Sequence, residues 1–138
     1  MAQELTIRFR VDFGRQCSIG IGKIELLEGI AGTGSLSEAA RQMRMSYRRA
    51  WLLLADLNLS FDEKVALTST GGRGGGGVLL TPFGKRLVAE YRNMEADLKP
   101  LLESHFQDFG HRVSASRAPA AKKQSVPIAS IKRTTGAR

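Results

Sequence analysis

The sequence holds a single cysteine, Cys17, so no disulfide can form within it and nothing marks an oxidising compartment. It has no apolar run near the roughly 18 residues that a membrane span needs. Its first residues lack the basic start and apolar core of a signal peptide, so a cytoplasmic protein without a membrane partner is expected. Histidine is scarce: His105 and His111 have no partners at metal-ligand spacing, and no metal site is expected. No histidine motif surrounds Cys17, which reads as a small packed residue and not a nucleophile. Carboxylate pairs such as Asp62-Glu63 read as loop solvation, not as an acid–base couple. Cofactors and catalysis are therefore not expected.

Positive charge is plentiful, and its placement matters more than its total. The 138 residues carry a formal net charge of +8. Residues 1–109 contain 14 Lys/Arg against 13 Asp/Glu, whereas residues 110–138 contain seven basic residues and no acid. The excess thus belongs to the tail. Within the body, Arg41, Arg44, Arg48, Arg49 and Arg73 concentrate in the middle, and acids gather at Glu25–Glu28 and from Glu90 to Asp108. Such a polarised body offers one side to phosphate.

Leu5, Ile7, Phe9, Val11 and Phe13 alternate with Thr6, Arg8, Arg10 and Asp12, a period of two that predicts a half-buried strand. A turn near Gly14 would lead to a short returning strand at Cys17–Gly20. Ile24, Leu27 and Ile30 have helical spacing over residues 23–31, with Gly32 and Gly34 as the stop. Ser35-Leu36-Ser37-Glu38 is a capping box in which the Glu38 carboxylate would reach back to Ser35. It opens a short helix with Ala39, Ala40 and Met43 inward. Ser46 caps the next helix, which would run to about Asn58 on an inner face of Ala50, Leu53, Leu54 and Leu57. Two helices separated by so short a turn, with small Ala39 and Ala40 at the crossing, predict a helix-turn-helix.

Residues 65–70 and 78–80 read as strands around the glycine run 71–77, which makes a wing. Thr81-Pro82 is a helix start with Thr as cap and Pro at the first position. Leu87, Tyr91, Met94, Leu98, Leu101 and His105 then recur at steps of four and three, as in a short coiled-coil seam, and Pro100 is expected to kink or end that helix. The fold class is mainly α with a small β wing: a winged helix-turn-helix over residues 1–109, followed by a basic tail, residues 110–138, expected to be disordered.

The second helix of a helix-turn-helix enters the major groove with its N-terminal residues at the base edges. Those residues are Ser46, Tyr47, Arg48 and Arg49. Guanidinium forks suit guanine or phosphate, and the plainer alternative is a solvated basic face. Trp51, by its size, reads as a partly buried brace. Gly72-x-Gly74-x-x-Gly77 matches a dinucleotide fingerprint in form only. No helix opens directly after it, no βαβ unit surrounds it, and no Lys-Ser/Thr follows. A wing tip built of Gly71, Gly72, Arg73, Gly74 and Gly75 can instead lie against a sugar–phosphate backbone.

Several segments carry a family resemblance in order: Lys23-Ile24-Glu25-Leu26-Leu27-Glu28, Thr33-Gly34-Ser35-Leu36-Ser37-Glu38-Ala39-Ala40, Met45-Ser46-Tyr47-Arg48-Arg49-Ala50-Trp51, the run from Thr70 to Gly77, and Leu80-Thr81-Pro82-Phe83-Gly84. Over roughly residues 5–100 the chain resembles the N-terminal DNA-binding domain of the molybdate-responsive ModE regulators, itself similar to the LysR-type winged helix. The resemblance implies a homodimer on a palindromic operator of double-stranded DNA, in molybdenum-related gene control. It implies groove reading by Ser46, Tyr47 and Arg48, and backbone contact by the 71–77 wing. It also implies dimerisation through the N-terminal strand, the first helix and the long helix after Thr81, where Leu87, Tyr91, Met94 and Leu98 are the candidate contacts. Members of the family carry C-terminal molybdate-binding domains to which no segment here corresponds, so direct molybdate binding is not expected.

A sequence-specific dimeric transcriptional regulator is therefore the leading expectation. The alternative is a winged-helix interaction module that heterodimerises with another regulator and binds DNA weakly alone. A third reading makes the tail a non-specific nucleic-acid arm, against a plain solubilising extension.

Overall fold

A computed structural model describes residues 3–69 and 77–114. The order is β1 (Val11–Phe13), β2 (Cys17–Ile19), α1 (Ile21–Thr33), α2 (Leu36–Gln42), α3 (Tyr47–Ser60), β3 (Ala66–Thr68), β4 (Val78–Leu80) and α4 (Pro82–His111). Both sheets are antiparallel hairpins, with Val11 opposite Ile19 in one and Ala66 opposite Leu80 in the other. The fold is a mainly α winged helix-turn-helix with a long C-terminal helix.

The helices form where their ends are satisfied. Gly34 closes α1 in the left-handed conformation (φ 69°), donating its N–H to the Ile30 carbonyl. The Oγ atoms of Ser35 and Ser46 accept from the N–H of Glu38 and Arg49, and Thr81 Oγ1 accepts from Gly84 N–H with Pro82 at the first position. Only half of the expected capping box forms. The Glu38 carboxylate pairs forward with Arg41 at 3.2 Å, and the Ser35 N–H donates to Thr33 Oγ1.

The core lies between α1, α2, α3 and the wing. Ile24, Leu27 and Ile30 of α1 meet Ala39, Ala50, Leu57 and Val65, all fully buried. Gly29 makes the crossing of α1 over α2 close, since a Cβ there would come 3.1 Å from Ala39 Cβ. At the start of α4, Gly84 sits on the Val65 carbonyl, where a Cβ would overlap the oxygen. Asn58 stitches α3 to the wing: its Oδ1 accepts from Val65 N–H (2.8 Å) and Ala66 N–H (3.2 Å), and its Nδ2 donates to the Ala66 carbonyl (3.1 Å).

Two expectations are corrected. The N-terminal strand is confined to Val11–Phe13, and residues 3–10 pair with no strand among the described residues. The period of two nonetheless holds in burial, with Leu5, Ile7 and Phe9 half-buried between exposed neighbours. Three-residue β2 offers pairing only as far as Val11, so the apolar side of the arm rests on α4 instead: Leu5 lies over Gly110, and Phe9 over Tyr91. The second correction concerns Pro100, which neither ends nor divides α4. Proline removes one helical bond, to the carbonyl of Ala96, and both residues are exposed, so water can take the donor's place.

Candidate nucleic-acid interface

The turn between α2 and α3 sets the interface. Arg44 adopts φ 55°, a left-handed conformation rare for a side chain of its size, and is the sole non-glycine residue to do so among those described. It is held there by Arg44 N–H donating to the Arg41 carbonyl (3.1 Å) and Met45 N–H to the Ala40 carbonyl (3.0 Å). The turn swings α3 away from α2, and Ser46 then fixes its first turn.

At that end Ser46, Tyr47, Arg48 and Arg49 are all exposed. Among the described residues, Arg44, Arg48 and Arg49 form no ion pair, whereas Arg41 is tied to Glu38. The first turn of α3 contains no acid. Three uncompensated guanidinium groups therefore crowd one end of the motif, an arrangement suited to phosphate or to guanine edges. Gly71, Gly72, Arg73, Gly74 and Gly75 lie outside the described residues. The base of the wing is fixed on both sides: Ser69 N–H donates to the Gly77 carbonyl (2.8 Å), and Val78 N–H to the Gly34 carbonyl (2.9 Å).

Trp51 departs from expectation. It is 52% exposed and stands outside the buried core, because Ala50, Leu54 and Leu57 already occupy the inner face of α3. It projects beside Tyr47, one turn earlier and 56% exposed, into a cleft of about 440 Å³ between α3 and the base of the wing. Size alone suggested burial; the angular position of residue 51 on the helix decided otherwise.

The other face carries a mainly apolar groove of about 270 Å³, which Glu90, Asn93 and Asp97 also line. Phe9, Val11, Phe13 and Ile19 join Leu87, Tyr91 and Met94 around it. Within this seam Tyr91 is only 4% exposed and is covered by the chain's own Phe9, whereas Met94 is 49% exposed; Leu87 and Leu98 are half-buried. Burial raises the Tyr91 phenol above its ordinary pKa. Arg92 binds Glu28 through two bonds of 2.6 and 3.0 Å and Glu95 at 2.9 Å, locking α4 to α1. Its hydrogen bonds to Glu28, then to Glu95, raise its pKa.

Among the described residues no group of His, Cys, Asp and Glu could hold a metal ion, and no helix is long and apolar enough to cross a membrane.

No protein-family model matches the chain. Individual proteins do. It is 40% identical over 86 residues to the molybdenum-pterin-binding protein MopB of Rhodobacter capsulatus, covering 62% of this chain and 32% of that protein. It is 33% identical over 102 residues to the molybdenum transport protein ModE of Azotobacter vinelandii, covering 74% and 38%. Over 69 residues it is 39% identical to the DNA-binding transcriptional dual regulator ModE of Escherichia coli K12, covering 50% and 26%. The domain is of the ModE type. The chain spans about a quarter to two-fifths of the length of these three relatives. One of these three relatives is named as a transcriptional regulator, and none is named as an enzyme.

Proposed function

We propose that the ModE-type domain is a sequence-specific, dimeric DNA-binding module of transcriptional regulation, acting in molybdenum-related gene control and without catalysis. One observation carries the reading: Arg44, Arg48 and Arg49 stand exposed, and without an ion pair among the described residues, around the capped start of α3. That is where a helix-turn-helix meets bases and phosphates. Ser46 and Tyr47 share that end, and Arg48 is assigned to base reading. The names of the relatives, one of them DNA-binding, agree with it.

The groove beside Met94 supports a dimer, with Leu87, Met94 and Leu98 meeting a second copy and Tyr91 supporting them from within. A dimer would set two recognition helices about 34 Å apart, one turn of duplex, on a palindromic site. The same groove favours the second reading, a module that pairs with a different regulator and binds DNA weakly alone.

The test is a titration of the protein at physiological salt against a molybdate-transport-type promoter fragment and a scrambled duplex, with and without molybdate. The expected result is a preference on the order of 10³-fold or more for the promoter fragment, unchanged by molybdate. Equal affinity for both duplexes would move the assignment to the pairing module. A preference that shifts with molybdate would place an effector site on this chain.

A further inference from the structure

A recognition helix in the major groove and a wing beyond it must straddle the ridge between two grooves, and that ridge is one sugar–phosphate strand. The space available for it is the cleft between α3 and the base of the wing. Its walls are unusual for such a task, because among the described residues no charged residue lines it. Tyr47 and Trp51 of α3 line it, together with Ser37 at the start of α2 and Thr68 on β3. The hydroxyls of Ser37 and Thr68 bond to nothing within the described residues, whereas those of Ser35 and Ser69 are engaged with Glu38 and Gly77. Asn58, which also lines the cleft, is committed to the backbone of Val65 and Ala66.

We propose that this cleft is a neutral seat for one DNA strand, in which the Trp51 indole packs on deoxyribose and the Ser37 and Thr68 hydroxyls donate to a phosphate. The inference rests on the DNA-binding reading above and assigns it a second, chemically distinct contact. The occupant follows from position and chemistry. The cleft is continuous with the arginine-bearing start of α3, through Tyr47. A small anionic ligand would find no cation among the described residues that line it, whereas a DNA strand brings its own apolar sugar faces to the aromatics and is held electrostatically by the arginines at the start of α3. Hydroxyl and aromatic contacts release no counterions, so this seat adds affinity without adding to the salt dependence. A sugar is common to all sequences, so it adds no base preference either.

The test compares the full chain with Trp51→Ala, Trp51→Phe and Arg48→Ala on both the promoter fragment and the scrambled duplex, across a salt series. Trp51→Ala is expected to weaken both by about tenfold, roughly what burying about 55 Å² of indole surface supplies. The slope of affinity against salt should stay unchanged, and Trp51→Phe should recover most of the loss. Because the indole is half-exposed, the melting temperature of Trp51→Ala should match the parent's, which separates lost contact from lost fold. Affinity unchanged on both duplexes would overturn the proposal. So would a loss confined to the promoter fragment, which would make Trp51 a base reader, or a changed salt slope. Lack of promoter preference in the parent would defeat the functional reading and leave this test intact on either duplex. Failure of the parent to bind any duplex would end both.

Discussion

Tyr91 on α4 and Phe9 on the N-terminal arm, 82 residues apart, are joined twice. Their rings stack at 4.2 Å with planes 12° apart, and the Tyr91 hydroxyl donates to the Phe9 carbonyl at 2.7 Å. Among the described residues the arm has no strand partner along residues 3–10, and this double contact, with Leu5 over Gly110, attaches it to the long helix.

Tyr91→Phe keeps the stack and removes the hydrogen bond, and should cost about 1 kcal/mol in urea unfolding at neutral pH. The pH dependence has a definite sign. Burial raises the folded-state pKa of Tyr91, so the folded chain holds this proton more tightly than the unfolded one. Its contribution is whole below about pH 10 and falls as pH rises past that value, where the unfolded chain ionises first. Tyr91→Phe should lack that part of the alkaline decline, which unfolding curves at pH 9 and 11 would reveal.

Asn58→Ala should cost about 2–3 kcal/mol, more than an ordinary surface change. It strips side-chain partners from the backbone of Val65 and Ala66, both buried, at the point where α3 holds the wing. Thermal melting gives the stability, and a DNA titration should show a further loss because the wing shifts against α3.

Arg44→Gly should separate stability from binding. Glycine removes the left-handed penalty while loosening the unfolded chain, for a net gain of about 0.5–1 kcal/mol in melting experiments. Loss of an exposed cation should at the same time weaken binding to every duplex and lower the salt slope by about 1. A stabilised variant with unchanged DNA affinity would remove Arg44 from the interface.

Arg48→Ala, in contrast, is expected to cost about 1–3 kcal/mol on the promoter fragment and to relax discrimination at one base pair. Binding to a panel of single-pair variants of the fragment is the measurement. A uniform loss across the panel would make Arg48 a phosphate contact.

Met94→Glu replaces an apolar side chain of the groove by a third carboxylate beside Glu90 and Asp97 while sparing the chain's own core, since Met94 is half-exposed. Sedimentation of the parent should show a dimer and that of the variant a monomer with an unaltered melting transition in dilute solution. A parent that sediments as a monomer would favour the heterodimerising reading.

Much of this protein is local and therefore written in its sequence. The caps Ser35, Ser46 and Thr81, the stop at Gly34, the helical spacing of Ile24, Leu27 and Ile30, and the alternation from Leu5 to Phe13 are set by neighbours a few residues away. The exposed start of α3 followed from the same signals. Only the tertiary structure decided what each apolar face would meet. The residue 5–9 face lies on α4 because β2 is too short to pair with it. Trp51 is left outside because smaller residues had filled the inner side of α3. Asn58 and Gly84 matter through partners that no periodicity announces: the backbone of β3 and the carbonyl of Val65. Spacing along a chain fixes which side a residue occupies, but the partner on that side arrives from tens of residues away, and only packing selects it.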